Sequence, residues 1–318
     1  MNSTKSVSNP NTLSPTSKKG LGKYFKANKS LYMMLIPGML YLFIFNYIPM
    51  GGIVIAFQNF NVVKGIFGSQ WIGFENFQYL FTSVDFYKVL RNSLLISFYK
   101  LVWGFPIPII LAILLNEVRS VKFKKFSQTA LYLPYFISWV VLASIITNFL
   151  SPTDGIFNHI RAAFGLEPIA FLQEPKFFRT VIVVAENWKG AGWGTIIYLA
   201  AVTGIDSQLY EAALIDGANR WQRIWHITLP GIKSTIIVML IMRMGNVLKN
   251  GFEDIFLLLN TITLDVGEVF ETYTYRIGLR GGRFSYSTAV GLFQSVVGFV
   301  MITLANKFSK KIGESSLY

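Results

Sequence analysis

The segment Asp206–Gly231 reads DSQLYEAALIDGANRWQRIWHITLPG and joins two apolar stretches, Val181–Val202 and Ile232–Leu248. Asp or Ser at its start can cap a helix, and Gly217 can end that helix in a left-handed conformation. A second, amphipathic helix is expected after the glycine, with Pro230 at the start of the next apolar stretch. This shape alone would also suit an ordinary loop that carries a surface helix.

The two apolar stretches belong to a set of six along the chain. The protein has 318 residues, of which 53% are hydrophobic and only 14% charged, whereas soluble domains carry about 25% charged residues. A membrane-spanning helix takes about 20 apolar residues. The predicted fold class is therefore an all-α polytopic membrane protein with six transmembrane helices. The predicted spans are Leu31–Phe57, Ser93–Leu115, Thr129–Leu150, Val181–Val202, Ile232–Leu248 and Thr288–Ala305, with proline kinks in the first two.

The net charge of +13 follows this topology. Segments on one side of the predicted spans hold 16 Lys and Arg against 5 Asp and Glu, and segments on the other side hold 9 against 10. Because positive loops stay in the cytoplasm, both termini are expected inside and a nucleic-acid partner is not. The predicted domains are a disordered basic cytoplasmic tail (1–30), a transmembrane domain (31–306) that includes the 206–231 loop, and a short cytoplasmic tail (307–318).

Several kinds of chemistry lack the residues that they need. The chain has no cysteine and only two histidines, which are far apart, so no metal site is predicted. No Gly-x-x-x-x-Gly-Lys-Ser/Thr sequence occurs, so the chain cannot bind ATP through a P-loop. An ion-coupled carrier would need acidic residues in its spans, and only Glu186 is available. A membrane enzyme would need a catalytic set that the spans do not contain.

The 206–231 loop also carries a specific motif. Glu211-Ala212-Ala213 is followed by Gly217 and then by Ile227-x-Leu229-Pro230. This spacing resembles the EAA motif of permeases in binding-protein-dependent ABC importers, which couples the permease to its ATPase. The residues that the resemblance assigns to coupling are Glu211, Ala212, Ala213, Asp216, Gly217, Ile227, Leu229 and Pro230.

Three further stretches resemble the maltose-type sugar permeases: WIGFENFQYLF at 71–81, GIFNHIRAAFG at 155–165, and NGFEDIF at 250–256 with the final SYSTAVGLFQSVVGFVMITLANKFSKK. The last looks like the LplB-like and YteP-like oligosaccharide subgroup. The resemblance implies a subunit of a bacterial inner- or plasma-membrane importer without a cofactor of its own. Its partners would be a second permease, two ATPases that hold ATP and Mg, and an extracytoplasmic solute-binding protein. A non-sugar solute stays possible, since importers share the EAA loop.

Polar residues within two spans are candidates for lining the substrate path, because ionisable side chains in a membrane are costly and usually face a cavity. The candidates are Asn187, Trp188 and Lys189 in the fourth span, and Arg243, Asn246 and Asn250 in the fifth, where their spacing predicts one polar stripe. Alternatively, Glu186 and Lys189 pair with each other and Arg243 binds a carbonyl group or a neighbouring helix.

Arg243 bears on the charge of the substrate. It lies near mid-membrane, where Glu186 is the one carboxylate expected at similar depth. A negative substrate would offset the cost of the guanidinium, which favours a sugar bearing uronic acid, unless carboxylates of the second permease neutralise it. Glu253 and Asp254, at the outer mouth, are expected to be solvated.

Overall fold

The computed structural model describes residues 28–311, which are mostly helical. The predicted tails therefore lie largely outside the described residues. The chain divides after Gly52 into two compact units; α1 lies in the first unit, and all other labelled elements lie in the second. The helices of eight or more residues are α1 (Lys29–Leu42), α2 (Glu75–Thr82), α3 (Val84–Gly104), α4 (Pro106–Glu117), α5 (Val121–Tyr132), α6 (Trp139–Phe149), α7 (Ile156–Ala163), α8 (Pro175–Thr203), α9 (Ser207–Ile215), α10 (Lys233–Gly245) and α11 (Phe284–Lys311).

Shorter elements connect these helices. One-turn helices occupy Ile48–Met50, Gly65–Gly68, Arg220–Arg223, Leu229–Gly231, Glu253–Phe256, Leu264–Gly267 and Phe270–Thr274. Turns of π-helix lie at Phe43–Tyr47, Ile224–Thr228 and Tyr275–Arg280, and 3-10 turns lie at Gly51–Phe57 and Leu133–Phe136. Two short antiparallel strands, β1 (Gln58–Asn59) and β2 (Gln70–Trp71), are the one departure from the predicted all-α class among residues 28–311.

Three helices of the described chain are long and apolar enough to cross a membrane: Lys29–Phe57, Val84–Glu117 and Phe284–Lys311. Two bent helix pairs raise the number to five if each pair counts as one span. These are Val121–Phe136 with Trp139–Phe149 and Arg220–Gly231 with Lys233–Gly245. The protein is thus a polytopic membrane protein by length and composition. The helix α8 has 29 residues, but its polar residues leave it outside this apolar set.

Pro106 and Pro134 mark interruptions in these helices, whereas Pro37 lies inside α1 without ending it. Phe105 interrupts the Val84–Glu117 helix just before Pro106, as expected where a residue without an N–H follows. The predicted third span is not one helix, because its two halves meet at an angle of 102°. Pro134 lies in the 3-10 turn before this bend, and Ser138 starts the second half by accepting a hydrogen bond from the N–H of Val141 at 3.3 Å.

Three apolar clusters hold the second unit together. In one, α8 packs against α3, α6 and the segment around Ile255, with Phe178 and Ile182 fully buried. In another, α2 and α3 pack against α11 around Phe86 and Phe270. In the third, α8 packs against α4 and Ile232, which follows the 206–231 segment. The helix α8 therefore joins two clusters and forms the central element of the unit.

Candidate functional site

The 206–231 segment begins with a capped helix that ends at a glycine. Asp206 Oδ1 accepts a hydrogen bond from the N–H of Gln208 at 2.9 Å, at the start of α9. At the other end Gly217 has a φ of +78°, and the N–H of Ala218 donates to the carbonyl of Ala213 at 2.8 Å. This is the Schellman arrangement, in which a left-handed residue satisfies the last carbonyls of a helix. The predicted cap and the left-handed Gly217 are confirmed.

A second capped turn follows at once. The N–H of Gln222 donates to Asn219 Oδ1 at 3.0 Å, and the N–H of Asn219 donates to Gln222 Oε1 at 2.7 Å. This capping box was missed in the sequence, although Asn followed three residues later by Gln is its signature. The two arms of the segment are then tied together by a hydrogen bond of 3.0 Å between the hydroxyls of Tyr210 and Thr228.

The motif residues lie on an exposed surface that is anchored from behind. No residue of α9 is buried. Glu211, Ala212, Asp216, Gly217 and Pro230 are exposed, whereas Ala213, Ile227 and Leu229 are half-buried. Large apolar side chains beside them are also exposed, namely Leu209, Leu214, Ile215, Trp221 and Trp225. Ile205, Ile224 and Leu229 pack from the inner side onto the cluster formed by α4 and α8. The segment thus connects its own exposed apolar surface to the packed cluster of α4 and α8.

Four ionisable side chains from separate parts of the chain meet between the helices. Lys100 Nζ of α3 lies 2.7 Å from Glu186 Oε2 of α8 and 2.8 Å from Asp254 Oδ2. Lys100 Nζ also donates to the carbonyl of Asn250 at 2.6 Å. Arg243 Nη2 of α10 lies 3.6 Å from Glu186 Oε1. Only 8% of the Lys100 side chain and 5% of the Asp254 side chain are exposed, so each needs the other charges as partners.

This network corrects two expectations about charge. Asp254 is buried in an ion pair, so the prediction that it is solvated is wrong, although Glu253 is exposed as predicted. Arg243 is not an uncompensated charge, because Glu186 lies beside it and its Nη2 donates to the carbonyl of Lys100 at 3.2 Å. The alternative in which Arg243 binds a carbonyl group is thus observed, whereas Glu186 pairs with Lys100 and Arg243 rather than with Lys189.

Arg243, Asn246 and Asn250 do not form a stripe on one helix, because α10 ends at Gly245. Asn250 lies beyond the helix, where its Nδ2 donates to the carbonyl of Ser93 at 3.1 Å. The three residues nevertheless line the same cavity of about 500 Å³. We call this cavity the polar cavity, and its other polar or charged lining residues are Ser97, Lys100, Glu186 and Lys249.

The candidates on α8 are divided between two places. Asn187 and Trp188 line a second cavity of about 720 Å³, together with Tyr99 and Trp103 of α3. We call it the aromatic cavity. Lys189 points elsewhere: its Nζ donates to the carbonyl of Tyr135 at 2.9 Å and to that of Ile137, both in the connection between α5 and α6. Lys189 therefore caps that bend and is not among the lining residues described for either cavity.

Lys100 and Asp254 are the site residues that sequence reasoning missed. The available signal was Lys100 within the apolar second half of α3, where a lysine needs a carboxylate partner somewhere in the fold. Asp254 could not be identified as that partner, because it lies 154 residues away and beyond the end of α10. Within residues 28–311 no group of three or more His, Asp or Glu residues could hold a metal ion.

Comparison with known proteins identifies the family of this chain. Residues 104–314 match the model of a family described as "Binding-protein-dependent transport system inner membrane component". The chain belongs to this family of transporter permease subunits.

Individual relatives match over almost the whole chain. The "Polygalacturonan/rhamnogalacturonan transport system permease protein YteP" of Bacillus subtilis is 49% identical, over 91% of this chain and 90% of the relative. Protein LplB of the same organism is 46% identical over 92% of both chains. A solved bacterial ABC transporter involved in import of "the acidic polysaccharide alginate" is 42% identical, with a TM-score of 0.85 over 92% of this chain and 99% of that one. The resemblance to oligosaccharide permeases of this subgroup is therefore confirmed.

Proposed function

We propose that this chain is a permease subunit of an ATP-driven oligosaccharide importer in the bacterial inner or plasma membrane. It crosses the membrane six times with both termini in the cytoplasm. With a second permease it encloses the translocation path, to which it contributes the polar and aromatic cavities. The observation that carries the proposal is the 206–231 segment, which combines the complete EAA motif, a left-handed Gly217 and an exposed apolar surface.

In this function the 206–231 segment couples the spans to ATP hydrolysis on two partner ATPases, which hold ATP and Mg. The exposed helix α9 docks into a groove of one ATPase, where Glu211 offers charge to a basic residue and Ala212 permits close approach. The apolar contacts of Ile205 and Leu229 with α4 and α8 then transmit the movement of the ATPase to the membrane helices. Alternating access of the cavities follows from this rigid connection.

We further propose that the transported oligosaccharide is acidic. Three cations and one carboxylate line the polar cavity: Lys100, Arg243, Lys249 and Glu186. If the carboxylate of Asp254, which binds Lys100, is counted as well, the group of charged side chains still has one positive charge in excess. The Arg guanidinium also suits a carboxylate through paired hydrogen bonds. The names of two relatives support the same class, since they refer to polygalacturonan or rhamnogalacturonan and to an acidic polysaccharide.

The test is reconstitution of the complete complex in liposomes: this chain, its partner permease, the ATPases and the extracytoplasmic solute-binding protein. We expect ATP hydrolysis to rise when the binding protein carries an oligosaccharide, and labelled oligosaccharide to accumulate only with ATP inside. Uptake driven by an ion gradient without ATP would show a secondary carrier instead. If ATP hydrolysis rises with a binding protein that carries an amino acid or peptide, and not with one that carries a sugar, the substrate class alone is overturned.

A further inference from the structure

The helix α5 begins beside the end of an apolar span. The helix Val84–Glu117 stays apolar through Leu115, and α5 starts at Val121, four residues after Glu117. A chain covers at most about 3.6 Å per residue, so these two helix ends lie within about 14 Å of each other. The first turns of α5 are therefore close to the membrane surface.

These first turns carry a cluster of cations. Between positions 118 and 153 the sequence contains no Asp or Glu and four basic residues, which are Arg119, Lys122, Lys124 and Lys125. Arg119, Lys122 and Lys125 are exposed, and Lys124 is half-buried. Within residues 28–311 none of the four takes part in an ion pair. The cluster thus presents uncompensated positive charge to its surroundings.

Aromatic side chains lie next to these cations. Phe123 and Phe126 are three residues apart, so they share one side of α5, and Lys122 and Lys125 share the adjacent side. Phe123 is 58% exposed and Phe126 is 71% exposed, although both are apolar. A surface that is apolar on one side and basic on the next is typical of a helix at a membrane surface. We call Arg119, Lys122, Phe123, Lys125 and Phe126 the basic-aromatic face.

The opposite side of α5 is fixed to α8. Its half-buried residues recur at helical spacing, and they are Lys124, Ser127, Gln128 and Leu131. A Cβ atom at Gly192 of α8 would collide with the carbonyl oxygen of Leu131, so the two helices approach closely at this glycine. Just beyond α5, the ring of Tyr135 stacks on that of Trp193 with centroids 4.5 Å apart. These contacts hold the basic-aromatic face outward.

We propose that the basic-aromatic face binds anionic phospholipid. Arg119, Lys122 and Lys125 contact the phosphate groups of the lipid, and Phe123 and Phe126 lie among the upper parts of its acyl chains. Bound lipid holds the first turns of α5 at the surface. The contact at Gly192 passes this restraint to α8, which leads into the 206–231 segment.

Two observations favour lipid over a protein partner. Leu114, on the last turn of the neighbouring span, is also exposed, so apolar surface that suits lipid chains extends to the point where α5 begins. The uncompensated cations are also complementary to the negative charge of an anionic leaflet. The proposal needs only a membrane protein, so it does not depend on the transport function proposed above.

The test measures lipid binding by the purified complex of this chain with its partner subunits. Phosphatidylglycerol is titrated into micelles of detergent and phosphatidylcholine, and the lipid that stays with the complex is quantified by mass spectrometry. We expect the wild type to retain phosphatidylglycerol in preference to phosphatidylcholine. Lys122→Gln with Lys125→Gln should weaken this binding about 25-fold, because each basic residue at an anionic surface contributes about fivefold.

Two further variants separate charge from other effects. Lys122→Arg with Lys125→Arg keeps both positive charges and should retain most of the binding. Lys176→Gln is the matched control, since it removes an exposed lysine whose charge already faces Glu174 at 4.0 Å. It should bind phosphatidylglycerol as the wild type does.

Several results would overturn the proposal. Equal retention of phosphatidylglycerol by the wild type and the double Gln variant would mean that the face does not select anionic lipid. Equal losses in the Gln and Arg variants would mean that charge is not recognised. Displacement of the lipid by inorganic phosphate would indicate a site for the free anion. If the double Gln variant instead loses its ATPase subunits in every lipid mixture, the face contacts a protein partner.

Discussion

At the scale of single residues, Lys100 shows how a charge is accommodated between these helices. Its ammonium group contacts two carboxylates and one carbonyl, supplied by Glu186, Asp254 and Asn250. Removing one member of such a group leaves the others buried without compensation. The lysine therefore holds α3, α8 and the short helix that contains Asp254 in one arrangement.

Lys100→Met should strongly destabilise the protein, because Asp254 would keep a buried negative charge without its cationic partner. Breaking a buried ion pair costs about 3–5 kcal/mol, so we expect a clearly lower melting temperature in detergent. Lys88→Met is the control, since Lys88 and Asp265 form an exposed pair of 3.2 Å and should contribute little. The double variant Lys100→Met with Asp254→Asn should recover part of the loss. Equal melting temperatures for Lys100→Met and Lys88→Met would contradict the network.

Arg243 determines charge selectivity in the proposed function. In Arg243→Gln, Glu186 keeps its contact with Lys100, so the helices stay connected while the polar cavity loses one cation. Uptake of an acidic oligosaccharide should fall roughly tenfold more than uptake of its neutral analogue, since a hydrogen bond to a charged group contributes about 1.5–3 kcal/mol. The measurement is competition between the two sugars in liposomes, with Lys176→Gln, an exposed lysine, as the control. Equal losses would mean that Arg243 reads hydroxyl groups or is structural.

At the scale of elements, the boundaries that depend on local sequence were predictable and those that depend on distant groups were not. The cap at Asp206 and the left-handed Gly217 follow from neighbouring residues, and both are confirmed. The bend between α5 and α6 has one local signal, Pro134, and one distant contributor, Lys189 of α8, whose ammonium reaches the carbonyls of Tyr135 and Ile137. Nothing near the bend in the sequence reveals that donor, and a continuous third span was expected.

The backbone at Gly217 offers a direct test of the proposed coupling role of the 206–231 segment. A Cβ atom at Gly217 would meet nothing within 4 Å, so a substitution there acts through the φ of +78° rather than through crowding. Val resists this conformation, whereas Asn adopts it readily. Gly217→Val should therefore abolish ATP-dependent uptake while the complex is still recovered, and Gly217→Asn should retain most uptake. Normal transport by Gly217→Val would remove the support for coupling through this segment.

At the scale of the whole molecule, hydropathy identifies the apolar spans, but it undervalues α8. This helix has the length to cross a bilayer, about 43 Å at 1.5 Å per residue for its 29 residues. Its polar residues are satisfied by the rest of the fold, with Glu186 bound by Lys100 and Lys189 bound by carbonyl groups. Tertiary contacts of this kind cannot be read from composition. The six-span prediction therefore depends on whether α8 crosses.

Reporter fusions can decide whether α8 crosses the membrane. Between Ala162 and Arg220, α8 is the one described helix of spanning length, so reporters after these two residues lie on opposite sides only if it crosses. The excess of positive charge in the predicted cytoplasmic segments favours the Arg220 reporter inside and the Ala162 reporter outside.

The measurement pairs a reporter that is active only outside the cell with one that is active only inside, at each site. Lys189→Met fused at the same sites is the control for charge, and it should leave both positions unchanged because the charges of the loops, not this charge within the helix, set the orientation. Both reporters on one side would mean that α8 does not cross. The loop at Ala162 and the 206–231 segment would then lie on the same side of the membrane. The six-span arrangement, which places them on opposite sides, would fail.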